Sequence, residues 1–155
     1  MTQHPVTVRE AGLQDADTVA DLVLALMAEI CARTDLGQIA FDAAENRTVC
    51  RERLGGGTRA LIAESGGRAV GVATLTRPGD DGVGVLQECY VRPEWRSHGV
   101  GGRLLSEAQT LGRAAGWRAL EVTTPPLPAF QRSFAFYQSQ GLAPVAGRKM
   151  RRALD

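Results

Sequence analysis

The sequence predicts one mixed α/β domain over residues 1–155, and three observations support this fold class. The length is about that of a single domain, and 44% hydrophobic residues are enough for one core. Strand-like segments dominate the middle of the chain. A strand–helix–strand crossover spans residues 83–123, and such a connection joins parallel strands. We therefore expect a sheet with at least one parallel strand pair.

The first third of the chain predicts a strand followed by two helices. Residues 5–10 alternate apolar and polar side chains, which is typical of a short strand. Asp15 or Asp17 is suited to cap the first helix. The buried face of that helix has apolar residues at helical spacing, namely Val19, Leu22, Val23, Leu26 and Ile30. Asp42 and Glu45 resemble a capping box for a second helix, which ends at a run of three glycines.

The rest of the chain predicts further strands with two more helices between them. The expected strands are 59–64, 69–76, 83–91, 119–123 and one or two within 145–154, and a glycine turn joins the first two. The third helix has one apolar face, formed by Leu104, Ala108, Leu111 and Ala115, and it ends at Gly116. A final helix covers roughly 130–140.

Charge, cysteine content and hydropathy narrow the functional classes. Lysine plus arginine number 18 and aspartate plus glutamate 17, so no global positive field favours nucleic acid or an anionic membrane. Three cysteines at spacings without a metal signature, and two histidines, argue against a metal site. The N-terminus lacks a signal-peptide pattern, and no apolar run approaches the ~20 residues of a membrane span. We therefore expect a cytoplasmic protein without nucleic-acid, membrane or metal partners.

Residues 91–105 combine a strand end, a glycine-rich turn and the start of a helix. Gly99, Gly101 and Gly102 let backbone amides face outwards, and a helix N-terminus adds about half a positive charge. Such a site binds phosphate or pyrophosphate, and Arg96 can add a charge-assisted contact. A glycine turn that only reverses the chain is the alternative interpretation.

Two familiar phosphate loops do not fit this segment. A P-loop requires Gly-Lys followed by Ser or Thr, and the chain has one lysine, Lys149. The dinucleotide-binding fingerprint requires Gly or Ala three positions after its second glycine, where this chain has Leu104. The anion site therefore belongs to another class.

The segment resembles the acyl-CoA-binding motif of the GNAT superfamily of N-acetyltransferases. The resemblance lies in Arg-x-x-Gly-x-Gly over 96–101, after a strand ending Val-x-Pro at 91–93. Downstream, Phe-Tyr-x-x-x-Gly-Leu over 136–142 is similar to the family's Tyr-x-x-x-Gly-Phe segment, with Leu in place of Phe. The order of elements also matches over nearly the whole chain. The resemblance implies a central, mostly antiparallel sheet splayed at the parallel strand pair and flanked by about four helices.

The resemblance also implies acetyl-CoA as co-substrate and assigns the residues that bind it. The backbone of 89–91 would pair with the pantetheine arm like an extra strand, and 97–102 would surround the pyrophosphate with amides. The expected cofactor-binding residues are Cys89, Tyr90, Val91, Arg96, Ser97, His98, Gly99, Val100, Gly101 and Gly102. Among these, His98 is expected to serve through its backbone rather than as a base, and Cys89 to be structural rather than nucleophilic.

Acylation of an amine requires a base and benefits from a proton donor. An alkyl amine has a pKa of about 10.4, so only about one part in 10³–10⁴ is neutral and reactive at pH 7. Glu88 is the first candidate base and Glu121 the second, and an exposed surface glutamate is the alternative for each. Tyr137 is the candidate donor to the departing thiolate, from its place in the family motif. Phe130, Phe134 and Tyr137 also match an aromatic core stripe at i, i+4 and i+7.

Two departures from the family pattern concern the acceptor side. The family's common Asn, seven residues before the Tyr, is Phe130 here, and the proline-rich segment 125–128 lengthens its loop.

The glycine-rich loop and Tyr137 together predict transfer of an acetyl group from acetyl-CoA to a primary amine. A non-catalytic acyl-CoA-binding regulatory domain is the alternative, and a phosphate or nucleotide binder unrelated to CoA is the third. A homodimer is a family-level expectation.

Charged residues near the expected acceptor side predict two further features. Glu29, Asp35, Asp42 and Glu45 make the first two helices and their connection acidic, which suits a cationic amine or simply a solvated face. A basic run over 148–152 is explained most simply by outward residues of an edge strand.

Overall fold

A computed structural model describes residues 5–34, 42–125 and 130–154 of the chain. Within these ranges four α-helices flank a seven-stranded sheet. The helices are α1 (Ala16–Arg33), α2 (Ala43–Gly55), α3 (Val100–Ala114) and α4 (Gln131–Ser139). The strands are β1 (Val6–Glu10), β2 (Arg59–Ser65), β3 (Arg68–Thr76), β4 (Val83–Val91), β5 (Ala119–Thr123), β6 (Ala143–Ala146) and β7 (Lys149–Ala153). None of the helices in the described part is long and apolar enough to cross a membrane.

The sheet has the strand order β1-β2-β3-β4-β5-β7-β6. Neighbouring strands are antiparallel except β4 and β5, which are parallel and joined through α3. This arrangement confirms the mixed fold class, the crossover and the mostly antiparallel sheet that the sequence predicts.

The parallel pair β4–β5 is short, and this opens the sheet. Pairing extends from Val83 opposite Ala119 to Leu86 opposite Val122 and then stops, although β4 continues along β3 to Val91. The β3–β4 register also skips one residue of β4, Gln87, and such a bulge bends a strand. The carboxyl-terminal half of β4 therefore leaves an edge free towards β5.

Two hydrophobic clusters cover the two faces of the sheet. Alternate side chains of a strand point to opposite faces, so Val72 packs in the cluster under α1 while Ala73 packs in the cluster with α3. The predicted face of α1 is confirmed at four of its five positions, since Val19, Leu22, Val23 and Leu26 are buried, whereas Ile30 is partly buried. Tyr137 packs in the α3 cluster, as the aromatic stripe predicts.

The helix boundaries agree with the predicted capping signals, with two differences. The Asp42 carboxylate accepts hydrogen bonds from the amides of Ala44 and Glu45, so it caps α2. Asp15 precedes α1, but its carboxylate binds Arg9 and the amide of Gly12 instead of capping that helix. Ala115 is exposed at the C-cap of α3, so its expected place on the buried face is wrong.

The basic run over 148–152 does not lie on an edge strand, which corrects that expectation. β7 lies between β5 and β6, and the exposed edge is the short strand β6. β6 contains Pro144, which gives it only a weak strand pattern in the sequence. The arginines of β7 instead bind neighbours, with Arg151 paired to Glu121 and Arg152 donating to the carbonyl of Gln140.

Candidate active site

A groove of about 680 Å³ opens where β4 and β5 separate. Its walls come from the carboxyl-terminal half of β4, the end of β5, the second half of α1, the first turn of α3 and the face of α4 that carries Tyr137. The groove therefore coincides with the gap left by the short parallel pairing. The sequence elements that carry the two motif segments meet in it.

The loop from 96 to 99 leads into α3 through two residues with left-handed backbone. Gly99 is the N-cap of α3 with φ of 80°, and Ser97 has φ of 64°. Residues with a side chain rarely adopt this backbone region. Glycine at 99 therefore adopts it without steric strain, whereas Ser97 is held in an unfavourable backbone conformation. The His98 ring Nδ1 lies 2.7 Å from the Arg96 carbonyl, which closes the loop on itself.

The first turn of α3 presents its amides to the groove. Val100, Gly101 and Gly102 begin this helix and line the groove, and the first amides of an α-helix have no acceptor within it. Together with the helix dipole they form an anion-binding surface. All of the predicted cofactor-binding residues line the groove except His98, whose side chain is exposed outside it.

α4 packs closely against this helix start at the two glycines. A Cβ at Gly101 would lie 3.3 Å from the Phe136 ring, and one at Gly102 would lie 3.7 Å from the Gln140 amide nitrogen. Gly101 therefore favours the close approach of α3 and α4 as well as access to the backbone. The Phe136 ring in turn contacts that of Tyr137, with 5.2 Å between their centroids.

Arg96 is anchored to the protein more fully than the sequence suggests. Its Nε donates to the Val91 carbonyl at 2.9 Å, and its Nη2 donates to both carboxylate oxygens of Glu29 at 2.9 and 3.1 Å. The guanidinium also lies 5.5 Å from the centre of the Tyr90 ring. A contact between Arg96 and a cofactor phosphate is left to its Nη1, so the loop amides are the main anion donors.

Glu88 lies buried in the groove wall and is fixed by three side-chain hydrogen bonds. Arg53 of α2 donates through Nη1 to Oε1 at 2.8 Å and through Nη2 to Oε2 at 3.2 Å, and the Thr74 hydroxyl donates to Oε2. The Glu88 backbone amide donates back to the Thr74 hydroxyl at 3.1 Å. A carboxylate has about four lone-pair sites, so about one remains for a water or an amine.

Tyr137 lies at the other side of the gap, beside Cys89. Both side chains line the groove, and burial raises the pKa of the Tyr137 hydroxyl well above its usual value of 10, as does the neighbouring Cys89 thiol. Burial also raises the pKa of the Cys89 thiol to about 11, partly offset by its hydrogen bond with Tyr137. Both groups are therefore protonated at neutral pH, and a thiolate nucleophile at Cys89 is disfavoured.

The model of the acetyltransferase (GNAT) family matches residues 27–142, which include the groove and both motif segments. The chain belongs to the GNAT acetyltransferase family.

Individual GNAT relatives agree in fold over almost the whole chain. A GNAT acetyltransferase from Staphylococcus aureus superposes with a TM-score of 0.76 at 16% identity, covering 97% of this chain and 100% of its own. A GNAT acetyltransferase from Brucella melitensis, solved in complex with acetyl-CoA, gives a TM-score of 0.70 at 20% identity and coverages of 98% and 90%.

A curated protein is similar over a shorter stretch. The IAA acetyltransferase of Azospirillum brasilense is 33% identical over 85 residues. These residues are 55% of this chain and 54% of the relative, so the chain matches about half the length of that protein.

The second predicted base, Glu121, lies outside the lining of the GNAT groove. Its Oε1 accepts hydrogen bonds from Arg151 at 2.6 and 3.2 Å, and its Oε2 lies 3.9 Å from the Lys149 amine. Two cations on β7 therefore hold this carboxylate. The structure brings Glu88 and Tyr137 to one groove and leaves Glu121 apart from them.

Some arginines in or beside the groove were not singled out as site residues by the sequence analysis. Arg53 reaches Glu88 from a helix 35 residues earlier, which no local pattern indicates. Arg33 stacks over the ring of Phe130, 4.3 Å from its centre. Phe130 is the residue that stands where the family has Asn. Arg132 is one helical turn before Phe136, so α-helical periodicity could have found it.

The predicted features of the acceptor loops lie partly outside the described residues. This applies to Asp35 and to most of the proline-rich segment, since 35–41 and 126–129 are not described. Glu29 is paired with Arg96 and is no longer a free acidic contact. Asp42 and Glu45 lie at the exposed start of α2 and do not line the groove.

Proposed function

We propose that this protein transfers an acetyl group from acetyl-CoA to a primary amine. The observation that carries the proposal is a single groove that joins an anion-binding helix start to Glu88 and Tyr137. These are the groups that acyl transfer to an amine requires, because the reaction needs an anchored thioester, a proton acceptor and a proton donor. The GNAT relatives solved with CoA or acetyl-CoA support the same co-substrate.

The cofactor would occupy the α3 side of the groove. Amides of 97–102 would bind the pyrophosphate, and the free edge of 89–91 would pair with the amides of the pantetheine arm, as an added strand pairs with a sheet edge. The gap between β4 and β5 supports this placement, since β4 has no β5 partner beyond Leu86.

Glu88 and Tyr137 would carry the two proton transfers. The amine nitrogen attacks the thioester carbonyl carbon, the carbon–sulfur bond breaks, and the amine loses a proton. Glu88 accepts this proton, through a water bound at its remaining lone pair, because its other sites are bound to Arg53 and Thr74. Tyr137 donates a proton to the leaving thiolate, and its raised pKa keeps that proton available at neutral pH.

Release of free thiol from acetyl-CoA tests the proposal directly. We expect thiol release to require an added primary amine, with aliphatic amines, amino acids and a peptide with a free N-terminus as the panel. Stabilisation by CoA but not by ATP or NAD checks the cofactor independently, at about 2.7 kcal/mol for a ligand at 100 times its Kd. CoA binding without thiol release for every amine would contradict the enzyme and favour a regulatory binding domain.

We also propose that residues 1–155 form one acyltransferase domain located in the cytoplasm. Three free cysteines, Cys31, Cys50 and Cys89, support a reducing compartment. Formation of a homodimer stays a prediction, which the sedimentation of the purified chain would test.

A further inference from the structure

We propose that the acceptor amine also carries a carboxylate, and that Arg148 binds this carboxylate. The inference rests on the proposed function, because it names the acceptor class for the same groove. It starts from an excess of positive charge along the groove wall. The charged lining residues of the described chain are Arg33, Arg96, Arg132 and Arg148 against Glu29 and Glu88.

Both carboxylates are already neutralised by the protein. Glu29 accepts hydrogen bonds from Arg96 and lies 3.7 Å from Arg33. Glu88 is paired with Arg53, which reaches it from α2. Among the described residues of this wall, a cationic amine therefore meets no unpaired carboxylate, whereas an anionic group meets unneutralised guanidinium. The described lining thus has the opposite charge from the one that the acidic first helices suggest.

The two arginines without a carboxylate partner among the described residues lie in different parts of the groove. Arg132 is four residues before Phe136 on α4, and Phe136 lies against Gly101. Residues four apart share a helix face, so Arg132 faces the anion-binding loop and suits a cofactor phosphate. Arg148 precedes β7, two strands away from β4. Neighbouring strands are ~4.8 Å apart, so Arg148 lies away from the edge of β4 that would pair with the pantetheine arm. It is therefore left for the acceptor.

Hydrogen bonds with Thr124 hold Arg148 in the groove wall. The guanidinium Nη1 donates to the Thr124 carbonyl at 2.8 Å, while the Thr124 amide and hydroxyl donate to the Arg148 carbonyl at 3.1 and 3.4 Å. No described residue accepts from Nε or Nη2, so these donors are available to a ligand. Guanidinium N–H groups bind a carboxylate through paired, charge-assisted hydrogen bonds.

Apolar residues of the same wall suit the carbon skeleton of such an acceptor. α1 contributes Leu26, Met27 and Ile30 to the lining, and Phe130 adds an aromatic ring. Arg33 over that ring fixes the place where α1 meets the start of α4. The geometry therefore favours an amino acid with an apolar side chain, or a longer apolar amino carboxylate, over a polyamine.

Matched acceptor pairs that differ only in the carboxylate test this inference by thiol release from acetyl-CoA. The pairs are phenylalanine, methionine and 6-aminohexanoate, each with its amide. We expect kcat/KM about tenfold higher for the acid in at least one pair, which corresponds to ~1.4 kcal/mol. Arg148→Gln should abolish that preference by raising the KM of the acid, with the KM of acetyl-CoA unchanged. Arg148→Lys should restore part of it.

Arg113→Gln is the matched control, because Arg113 is exposed near the far end of α3 and does not line this groove. It should retain the preference of the unmodified protein. Equal kcat/KM for acid and amide in every pair, or a preference that survives Arg148→Gln, overturns the inference while acetyl transfer stands. Loss of activity with acid and amide alike in Arg148→Gln also overturns it. Absence of thiol release with any amine contradicts the proposed function itself.

Discussion

The two walls of the groove are built in different ways. The cofactor wall, formed by 89–91 and 96–102, presents mainly backbone groups whose positions follow from glycines and a helix start. The acceptor wall, formed by α1, the end of β5 and Arg148, presents side chains held by ion pairs and hydrogen bonds from distant elements. The first wall therefore recognises a part common to all acyl-CoA molecules. The second can change its charge through single substitutions, so acceptor choice is expected to vary there.

Tyr137→Phe gives the largest expected effect, because Tyr137 lies where the two walls meet. The ring and its packing against Phe136 remain, but the proton donor to the thiolate is lost. We expect kcat to fall about 10²–10⁴-fold, with the Kd of acetyl-CoA unchanged. Steady-state thiol release and calorimetric binding measure the two quantities.

The pH dependence of Tyr137 sharpens this prediction. Its pKa is raised well above 10, so the neutral hydroxyl persists and kcat should show no loss from its ionisation between pH 7 and about pH 10. Full activity in Tyr137→Phe would return Tyr137 to a core role, in which the change costs only about 1 kcal/mol of stability. The melting temperature of the variant separates these outcomes.

Gly101→Val alters the cofactor wall and leaves the residues of the acceptor wall unchanged. A side chain here would meet the Phe136 ring at 3.3 Å and cover the amides of the first turn of α3. We expect the Kd of acetyl-CoA to rise at least about tenfold, or ~1.4 kcal/mol. Isothermal calorimetry on the folded variant measures it.

Gly55→Val is the control for Gly101→Val, because Gly55 ends a helix with nothing within 4 Å of its added Cβ. Its Kd for acetyl-CoA should equal that of the unmodified protein. Wild-type affinity in a folded Gly101→Val protein would remove the loop from the cofactor site.

The difference between the walls also explains how much the sequence could predict. Gly99 and Gly101 lie in one local segment, and glycine at these positions itself indicates the backbone conformation that the turn needs. The sequence therefore predicts the cofactor loop and both motif segments. The ion pairs Arg53–Glu88 and Arg96–Glu29 join residues 35 and 67 positions apart. No periodicity or local spacing indicates such pairs, so the charge of the acceptor wall required the folded chain. The edge position of β6 was missed because its four residues carry little strand pattern.

The smallest expected effect concerns the attachment of α2, the helix that brings Arg53 to the acceptor wall. α2 buries one residue, Cys50, fully. It is tied to α1 by exposed ion pairs, among them Arg51 with Asp17 at 3.0 Å. Exposed pairs contribute only ~0.2–1 kcal/mol and weaken with salt. Arg51→Gln should therefore lower the free energy of unfolding by that amount at low salt and by less in ~1 M salt.

Arg68→Gln is the matched control for Arg51→Gln, since its exposed pair with Glu94 at 3.4 Å involves neither α1 nor α2. Both variants should lose similar stability in urea unfolding, because both remove an exposed arginine with one carboxylate partner. They should differ in catalysis only if loosening α2 displaces Arg53 from Glu88. A lower kcat in Arg51→Gln that is absent in Arg68→Gln would show that the ion pairs of α2 position the acceptor wall. Equal kcat in both variants would show that Arg53 and Glu88 hold that wall without them.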